Sequence, residues 1–218
     1  MQRITSLFDY FKKYEQSVKD PEEFWAEIAD NFIWKKKWDK VLDWDFDSVD
    51  IKWFQNAKLN ITENILEKNL KDRGDKTAII WEPNDPNETS IRLTYKELYE
   101  ETCKFSNALR DKGIKKGDRV IIYMPMVPEA AIAMLACARV GAIHSVVFAG
   151  FSSTSLADRI NDCQAKMVLT SDGNFRGNKT IPVKPVVDEA LEKCKTIESV
   201  IVLERTKQKI NMTSGRDF

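Results

Sequence analysis

Between Gly117 and Thr170 the chain switches back and forth between short unbroken apolar runs and longer segments with a periodic apolar face. Val120-Ile121-Ile122-Tyr123 stops at Met124-Pro125, a run over residues 142–148 stops at Ala149-Gly150, and residues 166–170 lead into Ser171-Asp172-Gly173. Runs this short, without period-two alternation, predict strands covered by helices on both faces, which is the pattern of a parallel sheet. Pro128-Glu129 opens the first intervening helix, which residues 130–140 carry to Gly141, and Ser152 starts the second. The class is therefore α/β. Ligands on such sheets collect beyond the carboxyl ends of the strands. That singles out Phe148-Ala149-Gly150-Phe151-Ser152 and the polar loop over residues 171–179.

The flanks carry weaker patterns. Ile4, Leu7, Phe8, Phe11 and Tyr14 recur at helical spacing, and Asp20 before Pro21-Glu22-Glu23 is a helix start with an acceptor at the cap and acids at the dipole. Residues 34–53 are rich in tryptophan without a long period and read as an irregular cap that packs its indoles on the main domain. Asn60 or Thr62 can cap a helix ending at Gly74. Strands over 76–81 and 90–93 flank a turn at Pro83-Asn84-Asp85-Pro86-Asn87, and Thr94-Tyr95-Lys96-Glu97 is a capping box heading a helix that Gly113 ends. After residue 179 the pattern predicts an extended segment through Pro185, a helix over 188–193 and a strand over 200–203. Residues 212–218 show no closing pattern.

Composition narrows the function classes. Lys+Arg and Asp+Glu both number 34, so the formal net charge is zero and nothing favours bulk attraction to nucleic acid or anionic membrane. Lys35-Lys36-Lys37 between Trp34 and Trp38 resembles a basic-aromatic patch, but Asp39, Asp43, Asp45, Asp47 and Asp50 cancel its field. The four cysteines are widely spaced with no CxxC pair, as expected of small buried thiols in a reducing compartment. No apolar run approaches the ~18 residues of a membrane span and no signal-peptide pattern opens the chain, so a cytoplasmic location is expected.

Gly173-Asn174-Phe175-Arg176-Gly177-Asn178-Lys179-Thr180 fails as a Walker loop. Its glycines are too close, Asn178 precedes Lys179, and Pro182 blocks an immediate helix. Glycines that admit backbone N–H groups, with Arg176 and Lys179 beside them, nevertheless suit a phosphate. Taken alone, the loop reads equally as a solvated turn. Gly150 stands where backbone or ligand comes close before a helix, or simply where a strand turns. His144 is the single histidine, in an apolar strand, with no GxSxG elbow and no second histidine for a metal. No GxGxxG supports a dinucleotide oxidoreductase. No catalytic constellation is visible.

Longer phrases carry more. Thr77-Ala78-Ile79-Ile80-Trp81-Glu82, Met124-Pro125-Met126-Val127-Pro128-Glu129-Ala130-Ala131, Met134-Leu135-Ala136-Cys137-Ala138-Arg139 and Val146-Val147-Phe148-Ala149-Gly150-Phe151-Ser152 together resemble the acetyl-CoA synthetase (acetate–CoA ligase) family of the acyl-adenylate-forming superfamily. Val41-Leu42-Asp43-Trp44 and Ile51-Lys52-Trp53-Phe54 resemble the N-terminal segment of short-chain acyl-CoA synthetases. The resemblance implies a helical cap over residues 1–58, followed over 59–218 by the first part of a large adenylating domain with a mostly parallel sheet flanked by helices.

It also implies a two-step ligase acting on acetate, ATP and CoA through acetyl-AMP, with Mg2+ in the full-length enzyme. By the same resemblance, Arg176, Gly177, Asn178 and Lys179 contact the phosphates of CoA, and Phe148, Ala149 and Gly150 line its nucleotide pocket. Two positions depart from the family pattern: Lys179 stands where arginine is usual, and Ala149 where glycine is common. The family's ATP loop, acyl pocket and catalytic lysine match nothing in the 218 residues, so the chain is expected to be an N-terminal fragment, inactive without the rest of the protein. Neither a nucleic-acid nor a membrane partner is expected. A propionate-type ligase, or a non-catalytic CoA- or nucleotide-binding module, are the alternatives.

Overall fold

The computed structural model describes residues 4–218 and comprises two compact units, the described residues up to Lys68 and Asn69–Phe218. In the first unit, α1 (Leu7–Lys19) is capped by Ser6, whose Oγ accepts from Asp9 N at 3.1 Å. α2 (Pro21–Ala29) is capped by Asp20, which accepts from Glu23 N at 3.0 Å. The tryptophan-rich stretch is more regular than its sequence predicts: β1 (Leu42–Asp45) and β2 (Asp50–Trp53) form an antiparallel hairpin. All of β2 is exposed, so no buried face imposes an apolar alternation on it. The aromatic side chains cluster with one another, Trp34, Trp38 and Phe54 lying within 5.2–5.5 Å and Trp25 meeting Trp53 edge-on at 6.1 Å.

The helix expected after Asn60 begins as a π-helical turn, Glu63–Glu67, and continues as α3 (Lys68–Arg73). Asn60 supplies the local acceptor, taking hydrogen bonds from Thr62 N and Oγ1 at 3.0 and 2.8 Å; the Thr62 side chain makes no cap bond.

The second unit starts with the antiparallel pair β3 (Thr77–Trp81) and β4 (Ile91–Thr94). The capping box forms as its sequence dictates: Glu97 N donates to Thr94 Oγ1 at 3.2 Å, Thr94 N donates to Glu97 Oε2 at 2.8 Å, and α4 (Tyr95–Asp111) follows. Then come β5 (Arg119–Tyr123), α5 (Pro128–Val140), β6 (Ile143–Val146), α6 (Ser153–Cys163), β7 (Met167–Ser171), β8 (Gly173–Arg176), β9 (Lys179–Pro182), α7 (Lys184–Leu191) and β10 (Ser199–Leu203). Four of these strands make an all-parallel sheet in the order β10-β7-β5-β6.

The unbroken apolar runs are two interleaved half-patterns. Ile121, Tyr123, Val168 and Val200 pack on α6 and α7, while Val120, Ile122, Met167 and Leu169 pack on α4 and α5. The middle of each central strand is therefore apolar at successive positions, because both faces are core. Burying one such side chain contributes about 1.5–3 kcal/mol. His144 sits on the edge strand β6, where partial burial depresses its basicity.

α7 begins at Lys184, earlier than expected, with Pro185 in the first turn where its missing N–H has no intrahelical role. Lys184 itself is fully buried. Its ammonium meets Asp188 at 2.7 Å, Asp217 at 2.8 Å and the carbonyl of Asn211 at 3.1 Å. Arg216 closes the cluster against Asp217 at 2.6 Å and Asp188 at 3.0 Å. The last residues run parallel to β10, with Val200 N donating to Arg216 O and Val202 N to Phe218 O. All four cysteines are free thiols, and burial pushes that of Cys137 up to about 12.

Candidate functional site

α5 covers one face of the sheet and α6 the other, and the chain reverses its direction across the sheet between β5 and β7. An open parallel sheet has its natural crevice at the carboxyl ends of such a strand pair. A cavity of about 790 Å³ lies there, walled by Trp81 at the end of β3, Met126 after β5, Phe148 and Gly150 after β6, and Phe175 and Arg176 of β8. A smaller, mostly apolar cleft of about 400 Å³ between α4, α5 and β10 also has Glu101, Lys104 and Glu129 in its lining.

The polar loop over 171–179 is a β-hairpin. β8 and β9 pair antiparallel around Gly177-Asn178, and of these two only Gly177 has a positive φ, +56°, as in a type II′ turn. This register sets Arg176 opposite Lys179. Cβ atoms in such a pair lie roughly 5 Å apart on the same face, so the two cations stand together at the tip. Both are exposed, and neither has an ion-pair partner among the described residues. Asn84 reaches the turn from the β3–β4 loop, its Nδ2 donating to Gly177 O at 3.1 Å and its Oδ1 accepting from Gly177 N at 3.4 Å.

Asp172 anchors the hairpin to the sheet. Its buried carboxylate accepts from the backbone N–H groups of Gly173 at 2.6 Å, Arg205 at 2.8 Å, Thr206 at 3.0 Å and Gln208 at 3.2 Å. Burial pushes its pKa up, but the amide bonds from Thr206, Arg205 and Gly173 outweigh this and hold it below the ordinary value. Gly173 must be glycine here: a Cβ would lie 2.6 Å from Thr206 Oγ1, 2.7 Å from Gln208 Nε2 and 3.0 Å from Ile181 O.

The turn after β6 is held from below by Tyr123. The buried phenol reaches the carbonyls of Phe151 at 2.7 Å and Ala149 at 3.1 Å. Above that staple Phe148 stays 69% exposed and packs edge-on against Phe151 at 6.0 Å. The exposed ring lies over Gly150, so a Cβ there would have to push it aside.

The structure thus brings Phe148, Ala149, Gly150 and Arg176 together around one cavity, with Gly177 adjoining them through Asn84; Asn178 and Lys179 complete the hairpin tip outside the lining. The site also contains residues that the sequence reading passed over. Arg205, after β10, lies with its guanidinium 5.1 Å from the Trp81 ring and 4.9 Å from the Phe175 ring, and forks onto Glu88 at 2.7 and 2.8 Å. Trp81 Nε1 donates to Met126 O at 2.7 Å. The carboxyl-end rule, applied to the last strand as well as the middle ones, points to Arg205. Nothing local points to its partner Glu88.

With that architecture in view, the chain belongs to the AMP-binding enzyme family, whose model matches residues 66–217. Residues 10–65 match the model described as the acetyl-coenzyme A synthetase N-terminus. The chain is 53% identical over 209 residues to an acetyl-coenzyme A synthetase of Syntrophobacter fumaroxidans, with 95% of this chain and 32% of that protein aligned. It is 50% identical over 210 residues to one of Syntrophus aciditrophicus, again spanning 32% of the relative. Among solved structures, an acetoacetyl-CoA synthetase from Streptomyces lividans superposes with a TM-score of 0.83 at 25% identity, over 93% of this chain and 31% of that one. The chain therefore spans about a third of the length of these relatives. Among the described residues, no helix is long and apolar enough to cross a membrane.

Proposed function

We propose that this chain is the N-terminal part of a cytoplasmic acetate–CoA ligase, and that the strand-end cavity takes the nucleotide end of coenzyme A. In the reaction, an acetate oxygen attacks the α-phosphorus of ATP, giving acetyl-AMP and pyrophosphate. The thiol of CoA then attacks the acetyl carbonyl and AMP leaves. The observation that carries the reading is the pairing of an aromatic wall, exposed Phe148 and half-buried Trp81, with two cations, Arg176 and Lys179, aligned on one hairpin tip. A flat base has a surface to lie on and its phosphates have donors within reach. Gly177 and Asn178 shape that tip, and Ala149 and Gly150 keep the opposite rim low.

Of the nearby acids, Glu82 lines the cavity, whereas Asp172 is held by amides and Glu88 by Arg205; no three of His, Cys, Asp and Glu stand close enough among the described residues to ligate a metal. The chain on its own accordingly binds CoA without adenylating acetate. Calorimetric titration of the 218-residue chain with CoA tests this: saturable binding is expected, weakened in Arg176→Ala. ATP–pyrophosphate exchange by the pure chain would sink the claim that it is catalytically incomplete. The structural likeness to an acetoacetyl-CoA synthetase favours one alternative, a ligase for another short acyl group, with the same CoA end.

A further inference from the structure

We infer that Arg205 is a positioning residue of the CoA site: stacked between Trp81 and Phe175 and forked onto Glu88, it sets the aromatic walls on which the base rests without itself touching phosphate. The inference rests on the CoA reading above.

Four connections meet at this residue. Its guanidinium lies 5.1 Å from the Trp81 ring and 4.9 Å from the Phe175 ring. Both terminal nitrogens are committed to Glu88, at 2.7 and 2.8 Å. Its backbone N–H is held by Asp172 at 2.8 Å. Trp81 in turn is tied to Met126 O at 2.7 Å. The ends of β3, β5, β7 and β10 are thereby tied to one residue. A planar guanidinium can stack on two rings and chelate a carboxylate at once; a lysine ammonium, a point charge, cannot. With its charge spent on Glu88, Arg205 leaves the ligand phosphates to Arg176 and Lys179.

Trp81 is the sole indole of the Asn69–Phe218 unit, the other five of the six tryptophans lying before Lys68. This gives a local reporter. The full 218-residue chain, labelled with 5-fluorotryptophan, is followed by fluorine NMR as the parent and as Arg205→Lys and Glu88→Gln. Each form is titrated with CoA at several salt concentrations. The Trp81 signal, assigned with Trp81→Phe, is expected to move in both variants before any ligand is added, while the other five hold, and an unchanged urea midpoint reports an intact fold. CoA affinity is expected to fall roughly tenfold, the worth of one charged hydrogen bond, with the salt dependence of binding unchanged.

An affinity in Arg205→Lys within twofold of the parent overturns the positioning role alone. A salt dependence flattened in Arg205→Gln, which removes the charge, overturns it too, because Arg205 would then be a direct phosphate contact. If the parent chain binds no CoA, both the site reading and this one fall together.

Discussion

The ammonium of Lys184 and the carboxylate of Asp217 meet at 2.8 Å with neither side chain reaching solvent. The pair joins the first turn of α7 to the segment lying alongside β10, and Arg216, Asp188 and the amide of Thr213 complete its shell. Removing one partner of a buried, hydrogen-bonded ion pair strands the other charge in a medium that solvates it poorly. Lys184→Met is therefore expected to destabilise the chain by about 3–5 kcal/mol, read as a fall in the urea midpoint.

The same cluster sets an acid limit. Burial pushes the Asp217 carboxyl up, but the bonds from Arg216, Lys184 and the Thr213 amide prevail and hold its pKa at about 2, against an ordinary value of 3.8. A depressed folded pKa means stabilisation that is complete above the ordinary value and lost as pH falls through the folded one. Unfolding free energy should therefore drop steeply between about pH 4 and pH 2. In Asp217→Asn that part of the slope should be missing.

Gly173→Ala puts a methyl group where two side-chain heteroatoms and a carbonyl already converge. Because Ile181 O belongs to the facing strand of the hairpin, the backbone has to give. A loss of about 1–3 kcal/mol is expected, and in hydrogen exchange the amides of Arg205, Thr206 and Gln208 should lose protection first, since they bind Asp172 next door.

Tyr123→Phe keeps the ring in the core but deprives the carbonyls of Ala149 and Phe151 of their donor. The expected cost is about 1–2 kcal/mol, with an unchanged denaturant slope, since the surface exposed on unfolding is the same.

Lys179→Arg replaces a point charge with a fork at the hairpin tip. If the tip receives phosphate, one added hydrogen bond of about 1 kcal/mol should tighten CoA binding roughly fivefold. Dephospho-CoA titrated in parallel shows whether the gain depends on the 3′-phosphate.

What the sequence disclosed follows from how local each signal is. Thr94 and Glu97 are three residues apart, and Asp20 and Glu23 likewise, so the caps are legible and form as written. The central strands declare themselves because Val120 to Tyr123 are apolar on both faces, each face being a core. The hairpin was legible as well: Gly177-Asn178 between Phe175-Arg176 and Lys179-Thr180 is a two-residue turn signature, but comparison with a phosphate loop draws the eye to glycine spacing instead. The β1–β2 hairpin shows no alternation because water covers both faces of β2. Arg205 escapes for a different reason, as its fork, its rings and its Asp172 anchor all come from distant stretches of chain.

The fork between Glu88 and Arg205 joins positions 117 residues apart. Every strand of the parallel sheet lies inside the span it closes, so the cavity walls meet only once the whole unit has assembled. Occupancy of the cavity and cooperative folding are therefore a single equilibrium: a bound ligand raises the melting temperature of the entire unit in proportion to the logarithm of its concentration. A ligand screen on this chain can thus be run with a thermometer, with no enzymatic turnover.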